Sequence, residues 1–301
     1  MKRKIVKHGS STLTVSLPNK WAKKYGIKAG DELNVDEKGK ELIVNAQEKQ
    51  SLGSTTVHIP DKNNYIRRIF ISPYIVGYDT IKVTFDSKEV SELLQQDASL
   101  LLGFEVVETG TNYCIFKNIA KGIEEELDPM FNRMVFFVIS FGNDVCEALA
   151  RNDYERLKTY PDYEVTVDKL NIFIRRMVNL GCCKNEMQSR ILYRITSLIE
   201  AVSDELKYIC TYAASEKIKV SKQVLTLFEE VNKLNKSACE YIKTANSSLL
   251  LKTKPIEKRL KSECLKLITT GDKKEAPIVH NLWSILNMLT HETQEVVKVI
   301  D

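Results

Sequence analysis

Four carboxylates in the middle of this chain could act together: Glu164 with Asp168, and Glu200 with Asp204. Each pair is spaced i,i+4, which on a helix sets both groups on one face. The stretch "GCCKNE" breaks the periodicity between the pairs, so the two helices form a hairpin that turns near Lys184. Asp168 and Glu200 each lie 16 residues from that point, and Glu164 and Asp204 each lie 20. An antiparallel hairpin brings all four level, roughly 24–30 Å from the turn at ~1.5 Å per residue. Carboxylates gathered at one height repel unless something positive sits among them. Arg175 is one candidate for that charge, and a hard or borderline metal ion with oxygen ligands is another. A plain solvated acidic face is the third reading. Glu200 and Asp204 lie nearly opposite the apolar stripe of Ile191, Ile195, Leu198, Val202 and Leu206. They are therefore expected to face outward, with any metal at the bundle surface.

The other cluster is basic. Residues 1–28 carry Lys2, Arg3, Lys4, Lys7, Lys20, Lys23, Lys24 and Lys28 and no acidic side chain. The chain has 44 basic and 40 acidic residues, so the remaining residues hold 36 against 40 and sum to −4. A basic head on a mildly acidic body points to a polyanionic partner for the head. Within it, "KHGSSTLTVSLPNKW" alternates Leu13, Val15 and Leu17 with Thr12, Thr14 and Ser16, the period of a half-buried strand.

Little else in the sequence carries chemistry. There is no G-x-S-x-G, P-loop or G-x-G-x-x-G, and no nucleophile–base pair, so an enzyme is not expected. Seven scattered cysteines without C-x-x-C spacing argue against a disulfide framework or zinc site. Cys146, Cys210, Cys239 and Cys264 read as buried thiols, His58 and His280 as surface or satisfied histidines, and Trp283 as core. The start "MKRKIVKHGSS" lacks an apolar core of signal-peptide length. The longest uncharged run, 276–291, is 16 residues and too polar to span a bilayer. A cytoplasmic chain without membrane insertion is expected.

Three regions must position these residues. Residues 1–48 read as four short strands, near Arg3–His8, Thr12–Leu17, Glu32–Asp36 and Leu42–Ala46, with one small helix over "PNKWAKKYG". So small a unit rarely closes a core alone, which predicts an interlocked dimer. After the polar linker "EKQSLGSTT", residues 54–118 read as an α+β unit of ferredoxin-like type: strand "TTVHI", helix Tyr65–Val76, strand "TIKVTF", helix Ser87–Leu102, then "FEVVE" and "NYCIFK" as a hairpin. Residues 120–301 read as two three-helix bundles, 120–215 and 220–301. Their helices are expected from an Asp128-Pro129 start, then over Asp162–Leu180, Met187–Ala214, Lys222–Leu250, Ile256–Thr269 and Ile278–Ile300.

The stretch "KIVKHGSSTLTVSLPNKWAKKYGIKAGDELNV" resembles the AbrB/SpoVT/MazE family of swapped-hairpin DNA-binding domains. Gly9-Ser10-Ser11, "TLTVSLP", the short helix ending in Gly26-Ile27, and "AGDEL" follow in the family's order and spacing. The resemblance implies an all-β swapped-hairpin dimer that presents Arg3, Lys4, Lys7, His8, Ser11, Thr12 and Lys20 to duplex DNA. The helical body resembles PhoU, a phosphate-uptake regulator family of paired three-helix bundles with repeated E/D-x-x-x-D metal motifs. Here these read "EVTVD" (Glu164–Asp168) and "EAVSD" (Glu200–Asp204). The resemblance implies iron, zinc or magnesium on Glu164, Asp168, Glu200 and Asp204. Glu205 stands where that family often has histidine, and Ala201 where it has arginine. In the second bundle, lysines replace the expected carboxylates and leave only His291, Glu292 and Glu295 as ligands, so that metal site is expected to be lost. The combined arrangement is similar to a group of archaeal phosphate-uptake regulators. It implies a dimeric DNA-binding transcriptional regulator of phosphate uptake whose body senses or binds a partner. Alternatives are a body that docks on a phosphate transporter or signalling kinase without DNA binding, and an antitoxin.

Overall fold

The computed structural model describes residues 2–38, 41–45, 52–60, 65–120, 126–183, 185–244 and 247–300. The chain divides into two compact units, 1–50 and 51–301.

In the first unit, β1 (Ile5–His8) pairs antiparallel with β2 (Thr12–Val15), from Ile5 opposite Val15 to His8 opposite Thr12. Gly9 opens the connecting turn at φ 72°, a backbone state that glycine enters without penalty. Helix α1 (Asn19–Lys24) follows, and then a second hairpin of β3 (Asn34–Lys38) and β4 (Glu41–Asn45). The two hairpins form separate two-stranded sheets. None of the head's described residues is buried, and Ile5, Leu13 and Leu42 are 68%, 69% and 66% exposed. Two-stranded sheets with bare apolar side chains are marginal alone.

The second unit opens with a four-stranded sheet in the order β5-β6-β8-β7. Its strands are β5 (Ser54–Ile59), β6 (Thr80–Phe85), β7 (Phe104–Thr109) and β8 (Tyr113–Asn118). β5 and β6 are parallel, which requires a crossover, supplied by α2 (Ile66–Val76). Helix α3 (Lys88–Asp97) and a 3-10 turn (Ala98–Leu100) then lead into the β7–β8 hairpin. The order is therefore β-α-β-α-β-β, which corrects the ferredoxin-like expectation: that fold needs a hairpin between the second and third strands, where this chain forms α3. Ile59, Ile81, Val83, Phe85, Cys114 and Phe116 pack beneath the helices in a core that also takes in Ile172 from the body.

The body holds α4 (Leu127–Arg151), α5 (Tyr154–Thr159), α6 (Pro161–Asn179), α7 (Glu186–Glu216), α8 (Lys222–Thr244), α9 (Ser247–Thr270) and α10 (Ala276–Ile300). Helices α4, α6 and α7 pack as one set and α8, α9 and α10 as another, joined where α7 meets α10 and α4 meets α8. One apolar core runs through both sets, from Phe131 and Met134 to Leu282 and Leu286. The first helix begins one residue before Asp128, with Glu126 as its N-cap. The short α5 has no counterpart among the expected helices; Asp153 caps it by accepting from the Arg156 N–H at 3.1 Å. Pro255, expected just ahead of a helix, lies inside α9.

One residue ties the sheet to the body. Arg176 of α6 is 1% exposed. Its guanidinium donates to the carbonyls of Tyr74 (2.7 Å) and Tyr78 (2.8 Å) and to the Asp79 carboxylate (2.8 Å). It also lies against the rings of Tyr74 and Phe104, so every side of a buried charge is satisfied. Beside it, Asn179 donates to the Ile75 carbonyl at 2.7 Å. Gly77 ends α2 at φ 119°, and a Cβ there would come within 3.0 Å of the Leu180 side chain. Replacing Arg176 by Met leaves Asp79 and two carbonyls without this donor. Urea unfolding should therefore show a loss of about 3–5 kcal/mol; a loss below about 1 kcal/mol would mean that docking does not depend on this arginine.

Candidate functional site

The four carboxylates meet on the seam between α6 and α7. Glu164 and Asp168 are buried at 9% and 8% exposure, while Glu200 and Asp204 are half-buried. Glu200 and Asp204 are thus not turned outward as expected. The helical wheel identifies the core face, but α6 packs against a second side of α7. The chain also folds its own α2 over α6, which no wheel of α7 can register.

The positive charges on the seam come from two residues that the sequence reading does not single out. The Lys207 ammonium lies 3.0 Å from Glu164 Oε1 and 2.8 Å from Asp204 Oδ1, bridging α6 and α7. From α2, Arg67 reaches Asp168 Oδ2 at 2.7 Å. Arg175, the expected counter-charge, instead donates to the Tyr193 hydroxyl at 2.6 Å and lies over that ring. Lys207 has a local signal, since it follows Asp204 by three residues on one helix. Arg67 has none, because its partner lies 101 positions away.

Burial and crowding push the carboxyls toward protonation. For Asp168, burial and then Glu164 raise the pKa to about 6, opposed by Arg67. Glu200 goes up to about 7, first by burial, then by Asp168, Asp204 and Glu164, and by a hydrogen bond with Asp168. For Lys207, burial opposes the charge, but hydrogen bonds to Asp204 and Glu164 outweigh it and raise its pKa.

Among the described residues, no three His, Cys, Asp or Glu side chains converge as a metal-ligand set. The place of a bridging ion is taken by the ammonium of Lys207, and the guanidinium of Arg67 covers Asp168. As folded, the seam does not fit a metal ion. The side chains of His291, Glu292 and Glu295, and the turn residue Lys184, lie outside the described residues.

The DNA-contact candidates, basic and hydroxyl alike, all lie on the head and are exposed. Arg3 and Lys4 precede β1, Lys7 and His8 are on it, Ser11 is in the turn, Thr12 opens β2, and Lys20 is in the first turn of α1. Directly paired residues share a face of a hairpin. His8 and Thr12 are opposite one another and come together on one face, while Lys7, opposite Leu13, lies on the other.

Residues 6–51 match the family model described as antidote-toxin recognition MazE, bacterial antitoxin, in agreement with the AbrB/MazE resemblance of the head. Among solved structures, the chain is similar to the phosphate transport system regulatory protein PhoU from Streptococcus pneumoniae. That match has 12% identity and a TM-score of 0.49, and covers 59% of this chain and 97% of that one. No curated protein sequence matches. No helix among the described residues is long and apolar enough to cross a membrane.

The raised carboxyls set a pH dependence. Glu200 keeps its proton in the folded chain where the unfolded chain, at its ordinary 4.5, has lost it. Folding therefore takes up a proton at this site, and the stability that Glu200 contributes is fully present below 4.5 and is lost as pH rises through about 7. Glu200→Gln keeps a donor toward Asp168 but removes the titration. It should flatten the fall in melting temperature across this window and melt about 2–4 °C above wild type at the alkaline end. An unchanged pH profile would place the titrating group elsewhere.

Proposed function

We propose that this chain is a dimeric DNA-binding transcriptional regulator, with a head that reads duplex DNA and a helical body that senses or binds a partner. The head carries this reading. Its family match covers residues 6–51, it has eight basic side chains before its first acidic one, and its hairpins leave Ile5, Val6, Leu13, Val15, Val35 and Leu42 bare. A second copy would cover that apolar surface and double the positive charge on one face, enough for several phosphate contacts. In this reading the lysines position the protein on the duplex, while Ser11, Thr12 and His8 supply short-range contacts to phosphate or base edges.

Control of phosphate uptake is the finer part of the proposal. It rests on the PhoU-type motifs "EVTVD" and "EAVSD" and on the gathering of their four carboxylates on facing helices. The body would then dock on a phosphate transporter or a signalling kinase. A second reading, an antitoxin whose body holds a toxin, is favoured by the family's description as antidote-toxin recognition.

Gel shifts against DNA upstream of the chain's own gene and of phosphate-transport genes separate these readings. Lys7→Ala and Lys20→Ala should each weaken binding to all sequences about equally. Each should also flatten the log–log salt slope by roughly one unit for every phosphate that the missing ammonium had neutralised, or about two in a dimer. Unchanged slopes in both variants would move the phosphate-binding groups off the head candidates.

A further inference from the structure

We infer that Lys207 is a tethered counter-cation that takes the place of a metal ion in the acidic seam, so that the first helical bundle folds without metal and loses that independence when the ammonium is removed. The inference rests on the seam alone, so it stands or falls separately from the reading of the head.

The geometry is that of a bridge. Glu164 belongs to α6 and Asp204 to α7, and the Lys207 ammonium contacts both, at 3.0 and 2.8 Å. A divalent cation joining the same two helices would sit between the same oxygens, at the shorter distances of metal–oxygen bonds. Ammonium and metal cannot share that place: their volumes overlap, and two positive charges at such range repel strongly where water is scarce.

The lysine also holds an advantage over a free ion. It is attached to α7, so it fills the place without the translational entropy that capture from solution costs. Its side chain is 25% exposed, and those of Glu164 and Asp204 are 12% and 32% exposed, so bulk solvent screens the bridge only in part. At the other end of the seam, Arg67 from α2 compensates Asp168 and also faces Asp97 of α3. The seam's charge is thus met by two cations of the chain itself, one from the bundle and one from the α+β unit.

Removing the ammonium reverses the situation. Glu164 and Asp204 then have no shared partner and face Glu200 and Asp168 with only Arg67 left. Glu164 and Asp204, no longer turned onto the ammonium, can then close on a cation, and an all-oxygen set favours a hard divalent one. Lys207→Met keeps an unbranched chain of similar reach but no charge, so it converts an internally compensated seam into one that takes up such an ion.

The test uses the full chain, with manganese chloride as the probe and melting temperature and metal content after dialysis as readouts. Wild type should hold far less than one manganese per chain, and its melting should be the same in EDTA and in manganese. Lys207→Met should melt lower than wild type in EDTA, retain about one ion per chain, and regain about 5 °C in manganese. Adding Asp204→Asn to Lys207→Met should abolish that response. Wild type that binds stoichiometric manganese and is stabilised by it would overturn the inference, and this arm holds even if the variant fails to fold. A folded Lys207→Met indifferent to manganese would overturn it equally.

Discussion

A buried guanidinium organises the larger unit. Arg176 gives up water entirely, a cost recovered only because two carbonyls, one carboxylate and two aromatic rings surround it. Those partners all come from the α+β unit, while the arginine comes from α6, so the arrangement holds only when the sheet is docked on the body. Docking in turn brings α2 along α6, where Arg67 meets Asp168 eight positions before Arg176. The acidic seam is therefore partly a product of the interface. Without α2 above it, Asp168 would lose the guanidinium of Arg67 and keep only its acidic neighbours and Lys207.

The two units meet opposite physical demands. The larger one satisfies itself: a continuous apolar core joins both helical sets, and its charged seam carries its own cations. The head does neither, since many of its apolar side chains are bare, none is buried among the described residues, and its positive charge has no acidic counterweight in residues 1–28. Apolar surface without a core calls for a second protein surface, and uncompensated positive charge for an anion. The proposed dimer on duplex DNA would meet both demands at once.

Much of this is legible in the sequence, and the gaps have physical reasons. Strand alternation places "TIKVTF" on β6 to the residue, because every second side chain is buried there. The level placement of Glu164, Asp168, Glu200 and Asp204 follows from helix geometry and a hairpin, both local facts. The order of elements in the α+β unit is also readable, and already differs from a ferredoxin-like one. What escapes are features set by distant partners. Arg67 and Arg176 find theirs about a hundred positions away, and no periodicity reports that. Pro255 escapes for the opposite reason: a strong local signal for a helix start is overridden, and α9 runs through it. The head's resemblance is readable from motif order, whereas the half-buried state of Glu200 is not, because α6 packs on α7 beside the apolar stripe that the sequence marks.

In the proposed function the head is the part that meets DNA. The most direct measurement compares the full chain with one that begins at Ser51, using fluorescence anisotropy with a labelled duplex from upstream of the gene. The second unit is compact in itself and holds its own cores, so circular dichroism should find the shortened chain helical and cooperatively folded. The full chain should bind with a steep dependence on salt, and the shortened chain should not bind. Equal affinity of the two chains for the duplex would contradict that role of the head.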